Sequence, residues 1–263
     1  MNKAYKDQTQ QVVNILPLIK HKDFALKGGT AINLFFRNLP RLSVDIDLVY
    51  LPLKDRKTSF KNIHFYLQDI STILSKKGFI CSANKPLDGT SEAKLVVKRN
   101  RIQIKIEPNF ILRGSVLPPA SISLSNIVKQ EFGVSFNFNC LAFEDLFGGK
   151  ICAALTRQHP RDLFDVIGLL NNEGITKKLK DVFIFYLISS PKPFVEILDP
   201  RKKLVDEVYR DKFAGMTTQK VSLKELDTSF YDLVKSIKKN ITESDIEFLI
   251  SLLELKPKWD LVF

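Results

Sequence analysis

The period of the apolar and polar positions changes near residue 140. Before that point, segments with the two-residue period of strands are mixed with segments of helical period. From Phe143 onward only the helical period continues, divided by a loop with Pro191, Pro193 and Pro200. The pattern predicts an α+β protein, with a mixed sheet and helices over residues 1–140 and an all-helical domain over residues 141–263.

Within the first part, helices are predicted over residues 6–20, over residues 30–39 with Thr30 as N-cap, and over residues 61–78 with Gly78 at the end. A tight Arg-Asn-Arg turn predicts an antiparallel hairpin. Residues 122–139 are ambiguous, although their end alternates like a strand. The segments predicted as strands are FALKGG, SVDIDLVYL, FICSA, EAKLVVKRN, RIQIKIEPNF and GVSFNFN.

The composition restricts the classes of partner and compartment. The net charge of +11 favours polyanionic partners such as RNA, although a solvated lysine-rich surface would give the same count. The three cysteines and three histidines share no metal-ligand spacing, so no zinc site is expected. There is no apolar run long enough for a bilayer and no secretory signal pattern. We therefore expect a cytoplasmic protein without a membrane partner.

Two aspartates interrupt an apolar strand, and this needs a physical explanation. Alternate strand residues share a face, so Asp45 and Asp47 lie side by side, opposite Ile46 and Leu48. If strand 102–106 is the neighbour, Glu107 lies beside the pair. Three such carboxylates would repel one another and tend to hold their protons. Magnesium resolves this conflict, so the sequence predicts a metal site formed by these three acids.

The Gly-Gly-Thr sequence before this strand suggests what the metal would serve. Gly28 and Gly29 allow a sharp turn and a close approach to a ligand, and the helix opened by Thr30 suits a phosphate. Taken singly, such a turn is more often a simple helix cap, and an Asp-x-Asp pair is more often a surface pair. Together, with 14 residues between Thr30 and Asp45, they indicate phosphoryl or nucleotidyl transfer.

The motifs resemble one known family. The string GGTAINLFFRNLPRLSVDIDL resembles the DNA polymerase β-like nucleotidyltransferases and, within them, the AbiEii/AbiGii toxins. Further segments similar to that family are IKIEPNF, AFEDLFGGKICAALTRQHPRDLFDVIGLL and ITESDIEFLISLLELKPKWDLV. The resemblance covers about Phe24 to Trp259 and is least marked over residues 180–240.

For the first domain, the resemblance implies that Asp45 and Asp47 bind catalytic Mg²⁺, with Mn²⁺ as an alternative. It implies Glu107 as the third carboxylate, and Gly28, Gly29 and Thr30 as contacts of the phosphates of a nucleoside triphosphate. These assignments agree with the reading of the residues themselves.

For the helical domain, it implies that Lys150 contacts the triphosphate and that Asp165 is the acidic residue that follows it. Asp162 competes for that role. The spacing of Lys150 and Arg157, seven residues, places both on one helix face, so Arg157 joins the nucleotide-binding candidates. The alternative is that Arg161, Asp162 and Asp165 form a structural ion-pair network. Such a network is compatible with a role of the same residues in catalysis.

As a whole, the resemblance implies a magnesium-dependent nucleotidyltransferase toxin of a type IV toxin–antitoxin pair, with a cognate antitoxin and a link to phage defence. The implied reaction moves a nucleoside monophosphate to the 3′ end of tRNA and blocks translation. Two alternatives are transfer to a protein or small-molecule hydroxyl, and a nucleotide-binding regulator without turnover.

Overall fold

The computed structural model describes residues 1–262. It contains two compact units. The first comprises Met1–Leu146 together with Ala214–Lys220, and the second comprises Phe147–Phe213 and the chain from Val221 onward. The segment Ala214–Lys220 belongs to the first unit through main-chain contacts: Arg41 and Thr217 form a β-bridge, and the Leu42 amide donates to the Met216 carbonyl at 2.8 Å.

The first unit is built on a mixed sheet of seven strands in the order β3-β4-β5-β2-β1-β7-β6. Strand β2 pairs antiparallel with β1 and parallel with β5, and β4 and β5 form the predicted antiparallel hairpin. The strands are β1 Phe24–Lys27, β2 Asp45–Tyr50, β3 Ile80–Ala83, β4 Leu95–Arg99, β5 Ile102–Asn109, β6 Ala120–Ser123 and β7 Asn137–Cys140. The α+β class predicted from the sequence is confirmed.

Four helices accompany this sheet: α1 Lys3–Ile15, α2 Gly28–Ala31, α3 Arg56–Lys76 and α4 Asn126–Phe132. The helix predicted over residues 6–20 ends earlier, at Ile15, and a 3₁₀ turn follows. Pro17 lies in that turn, and its missing N–H and fixed φ favour the end of the α-helix there. Gly78, with φ +83°, follows α3 as predicted.

The ambiguous region 122–139 contains more than the one strand indicated by its alternation. The end of β6, the helix α4 and the strand β7 all fall within it. Strand β6 is short and its residues are exposed or half-buried, so it has no clear apolar alternation. Its pairing with β7 therefore depends on tertiary contacts rather than on a local pattern.

The second half of the chain is helical, as predicted. Its helices are α5 Phe143–Thr156, α6 Pro160–Asn172, α7 Lys177–Ile188, α8 Phe194–Leu198, α9 Asp206–Lys212, α10 Leu223–Asn240 and α11 Glu243–Leu253. The proline loop contains the short helix α8, between Pro193 and Pro200. Among the helices of residues 1–262, there is none whose length and apolar character would let it cross a membrane.

Candidate active site

Asp45 and Asp47 begin strand β2 and share one face of the sheet. Both are partly buried, whereas Ile46 and Leu48 on the other face are 0% exposed. The strand therefore has the two faces predicted from its sequence: an apolar face in the core and an acidic face that stays accessible.

Each aspartate has a lysine directly opposite it on a neighbouring strand. Asp47 pairs in register with Lys27 of β1, and Asp45 pairs in register with Lys105 of β5. Asp47 and Lys27 lie on antiparallel strands, where directly opposite charges of opposite sign stabilise the sheet by about 0.2–1 kcal/mol. Lys105 lies beside Asp45 on a parallel strand and brings a second positive charge to the same face. These lysines offset part of the cost of holding two carboxylates side by side.

Glu107 lies in register with Asp47, because β5 is the neighbour of β2. Its carboxylate accepts a hydrogen bond from Lys94 Nζ at 3.0 Å. Within residues 1–262, no three His, Cys, Asp or Glu side chains are grouped so that they could hold an ion by themselves. Magnesium does not need three, since it binds through one or two carboxylates plus substrate phosphates and water. The donor set of Asp45 and Asp47 fits that requirement.

The turn after β1 brings the main chain against this carboxylate pair. Gly28 has φ +69°, and a Cβ built on it would lie 2.5 Å from Asp47 Oδ2. A side chain at this position would collide with the carboxylate and would also have to adopt a conformation that L residues disfavour. Glycine is thus required for the contact between the turn and the aspartate.

Thr30 does not cap the following helix, contrary to the prediction. The helix begins at Gly28, and a π-helical turn, Ile32–Phe36, continues it. Thr30 is 0% exposed, and its hydroxyl bonds to the Asp45 carbonyl and to Ser43 Oγ, the latter at 2.8 Å. The side chain therefore fastens the glycine turn to the start of β2. A contact of Thr30 with a ligand is left to its main-chain amide, which has no intrahelical acceptor in this first turn.

Two further residues support the turn and escaped the sequence analysis. Asn33 is fully buried and its Nδ2 donates to the Gly29 carbonyl at 2.9 Å. Arg41 is 2% exposed, donates from Nη1 to the Leu42 carbonyl at 3.0 Å and packs against Gly29. An arginine inside the apolar stretch before β2 was the available signal, since a buried guanidinium requires nearby acceptors.

The second unit contains the other group of candidate residues. Lys150 Nζ lies 2.8 Å from Asp162 Oδ1 and 3.0 Å from Asp165 Oδ2. The side chain of Lys150 is 6% exposed and those of both aspartates 1%. Lys150 is therefore buried between two carboxylates, and the pair tethers helix α5 to helix α6.

Arg157 extends this cluster to the surface. Its Nε donates to Asp162 Oδ2 at 2.5 Å and its Nη2 donates to Asp162 Oδ1 at 3.0 Å, while 65% of the side chain remains exposed. Burial by itself would raise the pKa of Asp162, but the charges and hydrogen bonds of Lys150 and Arg157 hold that pKa well below its usual range. Asp162 is therefore an ionised acceptor at neutral pH.

A short connection between the two helices creates this arrangement. Helix α5 ends at Thr156, and α6 starts at Pro160 with His159 as its N-cap, accepting from the Arg161 amide at 3.1 Å. Asp162 and Asp165 form buried ion pairs that join the two helices, which agrees with part of the structural alternative given in the sequence analysis. Lys150 and Arg157 are among the cations of these pairs.

The sheet and its Asp-x-Asp strand can be compared with those of known proteins. The structure is similar to MenT4, a nucleotidyltransferase toxin from Mycobacterium tuberculosis, with a TM-score of 0.69 and 13% sequence identity. The likeness covers 94% of this chain and 87% of that one, and at this identity it shows a shared fold. A comparison with curated protein sequences gave no significant match.

The family follows from the sequence itself. Residues 16–239 match the model of the nucleotidyl transferase AbiEii toxins of type IV toxin–antitoxin systems. The chain belongs to this family and is a nucleotidyltransferase. The resemblance identified from the motifs is thereby confirmed.

Proposed function

We propose that this protein is a magnesium-dependent toxin that transfers a nucleoside monophosphate from a nucleoside triphosphate to RNA, with the 3′ end of tRNA as the acceptor. The observation that carries the proposal is the contact between the Gly28 turn and the carboxylate pair of β2. It joins a phosphate-binding turn to a metal-binding strand, as nucleotidyl transfer requires.

Asp45 and Asp47 would hold the metal, as two neighbouring carboxylates on one accessible face. When bound, magnesium supplies charge neutralisation for the triphosphate and lowers the proton affinity of an oxygen bound to it. The main-chain amides of Gly29 and Thr30 lie in the first turn of a helix, where they have no intrahelical acceptor and suit a phosphate oxygen.

In the proposed step, a hydroxyl oxygen at the RNA 3′ end attacks the α-phosphorus of the triphosphate. The bond from the α-phosphorus to the bridging oxygen breaks, and pyrophosphate leaves with that electron pair. Glu107, beside Asp47 in register, accepts the hydroxyl proton. Lys27 and Lys105 lie opposite the aspartates and add positive charge near the reacting phosphates.

In the second unit, we assign Lys150, Arg157, Asp162 and Asp165 to nucleotide handling. The exposure of Arg157 supports this assignment, because its guanidinium is anchored on Asp162 and yet 65% of its side chain is accessible. Lys150 lies within 3.0 Å of a carboxylate oxygen of Asp162 and of Asp165, so its contribution to activity is first of all to position these two side chains.

Toxicity would follow from the reaction, since a tRNA whose 3′ end is extended cannot be charged with its amino acid. The family implies an antitoxin that counters this, and a role in phage defence within the cytoplasm. The net charge of +11 supports a nucleic-acid acceptor over an acidic-pocket drug modifier.

The test is incubation of the purified protein with Mg²⁺, each α-labelled nucleoside triphosphate in turn, and total bacterial RNA. The expected result is a labelled band of tRNA length, lost in the Asp45→Ala/Asp47→Ala variant and when EDTA removes the metal. The matched control is Asp232→Ala, which removes an exposed carboxylate from α10 and should leave labelling unchanged.

Other outcomes separate the alternatives. If the label appears in a protein or a small molecule from lysate and not in RNA, the acceptor is that protein or small molecule and not RNA. Binding of triphosphate without label in any fraction would favour a regulator without turnover.

A further inference from the structure

The outer half of the sheet, strands β3, β4 and β5, has one buried and one open face. Leu95, Val97 and Ile104 point into the core and are at most 1% exposed. The alternate residues of the same strands point the other way and are exposed or half-buried. We call the part of this open surface that precedes Glu107 in β5 the outer sheet face, and its members are Ile80, Ser82, Val96, Lys98, Gln103 and Lys105.

The outer sheet face is continuous with the candidate active site. Asp45 is in register with Lys105, Lys105 with Val96, and Val96 with Ser82, so the four form one row across four strands. At about 4.8 Å between strands, the row extends about 14 Å from the aspartate. A row of that length extends beyond the one nucleotide that reacts, so it offers contacts to more than one nucleotide of an acceptor strand.

The charge of this surface is positive away from the aspartates, because Lys105 lies opposite Asp45 whereas the register partners of Lys98 are Ile80 and Gln103. Lys98 and Lys105 lie on the face, and Arg99 and Arg101 flank the turn of the hairpin that carries it. Within residues 1–262, none of these four forms an ion pair with a carboxylate. Arg99 instead lies over the Phe79 ring at 5.1 Å. Solvated cations of this kind can exchange small counterions for phosphates.

Apolar surface lies next to these cations. Ile80 is 72% exposed and in register with Lys98, and the half-buried Val96 is in register with Lys105. Surfaces that bind single-stranded nucleic acid combine cations that follow the backbone with side chains against which the bases lie, most often aromatic ones. On this face the side chains available to a base are the aliphatic Ile80 and Val96. An acidic protein segment could also bind these cations. It would not explain why the row from Ser82 leads to Asp45, whereas an RNA that reacts at Asp45 does explain it.

We propose that the outer sheet face binds the last nucleotides of a single-stranded RNA 3′ end and leads its terminal hydroxyl toward Asp45 and Asp47. The proposal rests on the proposed function, since it assigns the acceptor of that reaction to a particular surface. Lys98 and Arg101 contact backbone phosphates, and Ile80 contacts a base without selecting its identity.

The experiment measures binding apart from catalysis. A fluorescently labelled single-stranded RNA 12-mer is titrated with the full-length protein by anisotropy, without triphosphate, at several salt concentrations. The test variant is Lys98→Ala/Arg101→Ala. The control is Lys235→Ala/Lys239→Ala, which removes the same charge from exposed lysines of α10 that form no ion pair in the described structure.

The test variant should weaken RNA binding about tenfold and lower the slope of log K against log salt by about 1.4, as expected when two contacts to a single strand are lost. The control should stay within about twofold of the wild type, since it is subject only to the general charge effect. Ile80→Ser should weaken binding with no change in the salt slope, because it removes no charge.

Equal weakening by both double variants would overturn the proposal and leave a diffuse charge effect. Absence of RNA binding by the wild type would overturn it as well, and tighter binding of an acidic peptide than of RNA to this face would replace the partner. If binding depends on Lys98 and Arg101 but no triphosphate ever labels RNA, the proposed transfer to RNA fails while the binding surface stands.

Discussion

Gly28 lies directly against the carboxylate of Asp47, so closely that a Cβ would be 2.5 Å from Oδ2. This contact links the turn that follows β1 to the strand that presents the acids. The otherwise apolar strand β2 tolerates Asp45 and Asp47 because their face of the sheet is accessible and because Lys27 and Lys105 lie opposite them. The site is a local construction of three neighbouring strands and one turn.

Replacing Gly28 by alanine should abolish most of the activity. The new Cβ would displace the Asp47 carboxylate, and the positive φ would cost about 1–2 kcal/mol of stability. We expect nucleotide transfer to fall by about 100-fold or more and the free energy of unfolding to fall by that amount. Label incorporation and urea unfolding measure the two effects.

The control for this substitution is Gly168→Ala in helix α6, where no atom lies within 4 Å of a built Cβ. It should raise stability by about 0.5–1 kcal/mol, since glycine is unfavourable inside a helix. Normal transfer by the Gly28 variant would show that the close contact has no role in the reaction.

Arg41→Lys should reduce transfer while keeping the charge. Lysine lacks the planar fork that lies against Gly29 and donates to the Leu42 carbonyl, so the turn loses its support. We expect a drop of about tenfold or more in kcat/KM with the protein still folded. Arg41→Met should be worse in both activity and stability. Equal activity of Arg41→Lys and wild type would make the guanidinium geometry irrelevant.

Lys150→Met should destabilise the protein by about 3–5 kcal/mol, because it leaves Asp162 and Asp165 buried with one fewer cation. Urea unfolding measures this. The control is Lys177→Met, whose side chain is 86% exposed and whose pair with Asp181 is worth about 0.3–0.5 kcal/mol. A loss below 1 kcal/mol in the free energy of unfolding would show that the ion pairs of Lys150 do not hold the fold together. Any loss of growth arrest in the Lys150→Met variant would then reflect a role of Lys150 in the reaction.

Asp162 predicts a defined response of stability to acid. Its pKa is lower in the folded protein than in the unfolded chain, so its stabilisation is fully present above the unfolded value, near 3.9. It is lost as pH falls below that value toward the folded pKa. The gap in free energy of unfolding between wild type and Asp162→Asn should therefore be constant from pH 7 to 5 and narrow below about pH 4.

This is measured by denaturant unfolding in a pH series. Asp232→Asn, which replaces an exposed carboxylate of α10, serves as the control and should stay parallel to the wild type. A gap for Asp162→Asn that stays constant down to pH 3 would contradict the assigned pKa direction.

Local patterns were enough for the elements with strong periodicity. The alternation of Asp45 to Leu48 gave the two faces of β2, and the Arg-Asn-Arg turn gave the β4–β5 hairpin. The prediction that Thr30 is an N-cap was wrong: threonine before a helical pattern usually caps the helix, whereas here the helix already begins at Gly28. The Thr30 hydroxyl is buried against β2, a contact that no local rule predicts.

The sequence by itself determined the class of fold, the acidic strand and the Gly-Gly-Thr turn, because periodicity, glycine and charge act over a few neighbouring residues. Only the tertiary structure decided which strands adjoin. Because β5 adjoins β2, Glu107 lies beside Asp47 and forms an ion pair with Lys94. The segment 214–220 likewise packs against the first unit, where Thr217 forms a β-bridge with Arg41. Strand order, and the pairing of buried charges such as Lys150 and Asp162, depend on contacts between distant segments. Such contacts are selected by burial and packing of the whole chain, so no short window of sequence specifies them.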